Sequence, residues 1–72
     1  SIKEYDRALK YFSINVKSDP KNANWQSSLG DIYKAMGDKK MAMKHYKKAL
    51  SLNPNARVKA NAEKGLKELV TS

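Results

Sequence analysis

Four residues of the chain come back in kind after a fixed step. Ala8, Phe12, Val16 and Pro20 recur as Ala42, Tyr46, Leu50 and Pro54, each 34 positions on. A step of that length is a helix, a turn and a second helix. Such a unit cannot bury its apolar stripe alone, so it must stack on its neighbours. The repeat therefore predicts an all-α fold of stacked helix pairs and makes binding the expected function.

The apolar spacing predicts four helices. The first runs from about Ile2 to Lys17, with Tyr5, Ala8, Leu9, Phe12 and Val16 on one face. Asp19-Pro20 ends it, because proline disfavours helix at the residue before it and has no N–H to donate. The second runs from about Ala23 to Met36 on the stripe Trp25, Leu29, Ile32, Tyr33 and Met36, with Asn22 as its N-cap. Gly37 suits the left-handed residue that closes a helix. Asp38 can cap the third helix, which runs to about Leu52 on Ala42, Tyr46, Ala49 and Leu50 and stops at Asn53-Pro54. The fourth runs from about Ala56 to Val70 on Ala62, Leu66, Leu69 and Val70. There Gly65 costs about 1 kcal/mol against alanine unless it permits close helix contact. No stretch alternates as a strand would.

Seventy-two residues make one small domain with a modest core. The chain has no cysteine and one histidine, which excludes disulfides and argues against a structural zinc site. No cofactor is expected. No apolar run approaches the roughly 18 residues that span a bilayer, and no signal peptide is visible. The compartment stays open, with a lean towards the cytoplasm. The chain begins without methionine and runs straight into periodic sequence, so it reads as a piece of something longer. The net charge of +8 is uneven: +2 over residues 1–36 and +6 over residues 37–72. A basic half attracts acidic partners. Thirteen of the fifteen basic residues are lysine, however, and nucleic-acid sites prefer the planar fork of arginine, so nucleic acid is an unlikely partner.

Ala23 to Asn55 resembles a tetratricopeptide repeat. Leu29-Gly30 and Tyr33 match its first helix, Gly37 its turn, and Ala42, Tyr46, Ala49-Leu50 and Pro54 its second helix and exit. Residues 3–20 look like the second helix of a preceding repeat, with Asn15 where a small apolar residue is usual. The resemblance implies one domain over 1–72. In it, 2–18 is the second helix of a truncated repeat, 22–54 a complete repeat and 56–70 a capping helix, together a fragment of a right-handed superhelix. Two departures stand out. Trp25 precedes by one residue the slot that the family's tryptophan fills, here Gln26. That shift turns it about 100°, towards the preceding helix. In the fourth helix the match fails at the 34-residue step, where Glu63, Lys64 and Lys67 stand, and returns at 37, which suggests three inserted residues.

No catalytic constellation is visible. His45 reads as a lone surface histidine, and the aspartates are too scattered for a metal cage. The resemblance implies a ligand groove lined by first helices, which here would present Asn24, Ser27, Ser28, Asp31, Lys34 and Ala35. Some family members hold a terminal carboxylate with a Lys/Asn/Arg clamp. Ser27 and Asp31 stand where the Lys and Asn would be needed, and Asp31 would repel a carboxylate. Lys40, Lys44, Lys47 and Lys48 share the face of the third helix opposite its apolar stripe, either as a solvated face or as a site for an acidic partner. Ile2, Tyr5, Leu9, Phe12 and Trp25 form an apolar surface for which homodimerisation through the first helix is expected. The leading expectation is a scaffold module that binds a protein or peptide. The alternatives are a C-terminal appendage of a hydrolase-type enzyme, whose chemistry would lie outside these residues, and binding of nucleic acid or acidic partners through the lysine face.

Overall fold

The computed structural model describes residues 2–71, which form four helices and no strand: α1 Ile2–Ser18, α2 Ala23–Met36, α3 Lys39–Ser51 and α4 Ala56–Thr71. Local chemistry sets the boundaries. Asn22 Oδ1 accepts from the Asn24 N–H and opens α2, and Asp38 Oδ1 accepts from Met41 N–H and opens α3. Gly37 sits at φ 84°, and its N–H closes α2 onto the Lys34 carbonyl. Asn53 also has positive φ, at the exit before Pro54.

Helix α2 is the hub. It touches α1, α3 and α4, whereas α1 touches α2 alone. The core lies among α2, α3 and α4 and is built from Ala23, Ala42, Tyr46, Ala49, Val58, Ala62 and Leu69. Most of these are small. They enclose Tyr46, the largest side chain with no exposure at all. Gly30 of α2 and Gly65 of α4 lie against its ring. A Cβ on Gly30 would stand 2.6 Å from Cδ1, and one on Gly65 would stand 2.4 Å from Cζ. Both glycines are there for close approach to an aromatic face.

Within the α2–α3 pair, Leu29, Ala42 and Tyr46 are buried as expected, but Tyr33 and Leu50 are only half-buried at its margin. In α4 the buried series is Val58, Ala62, Gly65 and Leu69, at i, i+4, i+7 and i+11. Val70 lies one residue, about 100°, beyond that line; it is 71% exposed and does not belong to the face predicted for it. The expected three-residue insertion is also absent. Asn55 Oδ1 accepts from Val58 N–H, 33 residues after the cap at Asn22. Buried counterparts are 35 apart: Ala23 and Val58, Ser27 and Ala62, Gly30 and Gly65. A small shift of buried face along α4 replaces the insertion.

Helix α1 has no fully buried residue. It rests on α2 through Phe12, whose ring centre is 5.9 Å from that of Trp25. The one-residue shift of Trp25 thus aims it at the preceding helix. Gln26 takes the position inside and is buried.

Candidate functional site

A groove of about 650 Å³ runs between α2 and α4. From α2 it receives Asn24, Ser27, Ser28 and Asp31, four of the residues expected to line it. Ser27 is buried at its floor, Ser28 is half-buried, and Asn24 and Asp31 are exposed. Lys34 leaves the groove lining and forms a salt bridge with Glu68 of α4. That contact holds the Glu68 carboxyl below the usual carboxylate range. Ala35 is exposed and takes no part in the groove.

The opposite wall is α4. Asn61 Nδ2 donates to Ser27 Oγ at 2.6 Å and lies 3.2 Å from Asp31 Oδ2. The Tyr46 hydroxyl donates to Asp31 Oδ1 at 2.5 Å. Asp31 is thereby held by a donor from the core and a donor from the groove. Burial first, then the bond to Asp31, pushes the Tyr46 phenol far above its ordinary range. Arg57 and Lys64 complete the α4 wall, and neither is ion-paired among the described residues. Sequence reasoning missed Asn61, Arg57 and Lys64, because the apparent 37-residue step turned α4 the wrong way. The signal was present: Ser27 and Asn61, like Lys34 and Glu68, are 34 apart.

His45 is not the lone surface histidine expected. Its Nδ1 donates to Gln26 Oε1 at 2.8 Å, and its ring stacks on Tyr33 at 5.3 Å with 5° between the planes. Burial, and then the neighbouring Lys44 charge, lowers its pKa. A histidine whose pKa is depressed by folding binds its proton more readily in the unfolded chain. Its contribution to stability is therefore complete above about pH 6.5 and is lost as the pH falls through the folded value. Thermal melts between pH 7 and 5 should show falling stability, and His45→Gln should flatten that slope.

Lys40, Lys44, Lys47 and Lys48 are all exposed on α3 and none lines the groove. Of the residues expected to self-associate, Ile2 is 79% exposed, while Tyr5, Leu9, Phe12 and Trp25 are half-buried where α1 meets α2. Among the described residues no His, Cys, Asp or Glu group of three or more could hold a metal ion. No helix among them is long and apolar enough to cross a membrane.

Stacked helix pairs, glycines pressed on one buried ring and a groove between first helices define a helical-repeat binding module. Residues 23–56 match the family model described as tetratricopeptide repeat. Residues 23–56 are a tetratricopeptide repeat. The chain is similar to Protein bimA of Emericella nidulans, with 33% identity over 52 residues, 72% of this chain. The chain spans about 6% of that relative's length. No solved structure matches the chain.

Proposed function

We propose that the chain is a protein-interaction module that takes an extended acidic segment in the groove between α2 and α4. The observation that carries this reading is the pair Arg57 and Lys64 on the α4 wall, facing a wall of amides and hydroxyls. They are seven residues apart on one helix, roughly 10 Å along its axis. A segment in the extended polyproline-II conformation advances about 3.1 Å per residue with three residues per turn, so carboxylates three residues apart share one side and match the two cations. Asp31, the one acid lining the groove, is already bound by Tyr46 and Asn61. It marks a position where the ligand carries an amide or other donor, not a carboxylate.

The test is fluorescence anisotropy with labelled peptides that carry acidic residues at i and i+3. Arg57→Glu with Lys64→Glu should abolish binding, whereas Lys40→Gln with Lys44→Gln and Lys47→Gln should leave it within about twofold, since those residues lie on another face. Equal binding of neutral peptides, or loss of binding only in the α3 variant, would refute the groove assignment.

A further inference from the structure

Asparagines 24, 55 and 61 line the groove, and each is held differently. Asn24 of α2 is exposed, and its side chain makes no hydrogen bond among the described residues. Asn55 commits its Oδ1 to the Val58 N–H at the start of α4. Asn61 is tied by its other end. Its Nδ2 donates to Ser27 Oγ at 2.6 Å and lies 3.4 and 3.2 Å from the two oxygens of Asp31. An ionised carboxylate only accepts, so the nitrogen of the amide must face it. The reverse setting would place the amide oxygen against the carboxylate. The Asn61 Oδ1 is thereby turned from the floor of the groove, with no donor on it among the described residues.

The groups that hold Asn61 are themselves held. Ser27 is buried. Asp31 accepts from the hydroxyl of Tyr46, whose ring is enclosed between Gly30 and Gly65. An exposed asparagine amide ordinarily turns freely, but this one is set in place from the core. A strut between α2 and α4 would need only the nitrogen of that amide. The oxygen is left over, fixed and open.

We propose that Asn61 reads the main chain of the bound segment: its Oδ1 accepts a backbone N–H, and Ser27 and Asp31 are the positioning residues that impose this orientation. The proposal rests on the groove being the site of an acidic segment, and adds to it a contact that does not depend on the ligand's side chains. An acceptor already fixed loses little freedom on binding. Asn61 lies four residues after Arg57 and three before Lys64, about 6 Å and 4.5 Å along the helix. A segment with one carboxylate on each cation therefore passes Asn61 with the two residues that separate its acids.

Fluorescence anisotropy with the labelled acidic peptide and a set of its esters tests the proposal. In each ester one backbone N–H is replaced by oxygen, which removes a donor and leaves the protein untouched. An ester at one of the two residues between the acids should weaken binding roughly five- to tenfold. Esters outside the acidic pair should stay within about twofold. In Asn61→Ala the ratio of amide to ester affinity should fall to about one. Asp31→Asn, which lets the Asn61 amide turn over, should lower that ratio too; the charge it removes acts on both peptides alike and cancels. Both variants should keep the helical circular dichroism, since both side chains are exposed. If Arg57→Glu with Lys64→Glu abolishes binding but no ester between the acids weakens it, the main-chain contact is overturned and the groove assignment stands. An ester effect undiminished in Asn61→Ala overturns the contact equally. No binding of the acidic peptide to the parent chain overturns both.

Discussion

Gly65→Ala should destabilise the fold by up to about 2 kcal/mol, although alanine is the better helix former. A methyl group there would stand 2.4 Å from Cζ and 2.5 Å from Cε2 of Tyr46. The ring cannot retreat, because Gly30 lies 2.6–2.9 Å from it by the same measure and alanines enclose it. Overpacking of this kind costs about 1–3 kcal/mol, and the gain in helix propensity offsets about 1. In a domain of this size each 1 kcal/mol moves the melting temperature by about 4–8 °C. Combining Gly65→Ala with Tyr46→Leu should cost less than the sum of the two changes, since the shorter side chain vacates the collision. Gly37→Ala is the control: nothing lies within 4 Å of its Cβ, so any loss there comes from the φ of 84° alone. If Gly65→Ala melts like the parent chain, the contact with Tyr46 is not the reason for the glycine.

The second large effect belongs to Leu29, 3% exposed in the middle of α2. Leu29→Ala removes a buried branched side chain from the one helix that all others touch, and should cost about 2–5 kcal/mol. At about 0.05–0.15 kcal/mol per residue, a chain of this length holds only a few kcal/mol in all. The variant should lose its cooperative thermal transition, followed by circular dichroism at 222 nm. Leu29→Met, close in volume, should retain it. A sharp melt in the alanine variant would contradict the burial.

The legible parts of this fold were those set by short-range chemistry. Asn22, Gly37, Asp38 and the two prolines act on backbone groups within a few residues of themselves, so their positions alone fix where helices begin and end. The turn of Trp25 towards α1 was readable for the same reason, as a rotation within one helix. What escaped was set between helices. The face of α4 follows from Gly65 meeting Tyr46, and no apolar count reports that a glycine is buried. Matching stripes of large residues therefore favoured Leu66 and Val70 and rotated the helix away from Asn61 and Arg57. His45 escaped likewise, since its partners Gln26 and Tyr33 come from another helix. Half of the groove, the α2 wall, was read from resemblance; the α4 wall needed the register.

The Tyr46 ring lies between glycines of two successive first helices, and its hydroxyl reaches Asp31 on the groove side. It therefore acts as a spacer. The distance between α2 and α4, and with it the aperture of the groove, is governed from behind by one side chain that is not among the groove's lining residues. A variant with a slimmer residue at 46 would narrow the aperture while every lining residue stayed the same. In a repeat array that position is where selection can alter curvature and reach without editing a single contact residue.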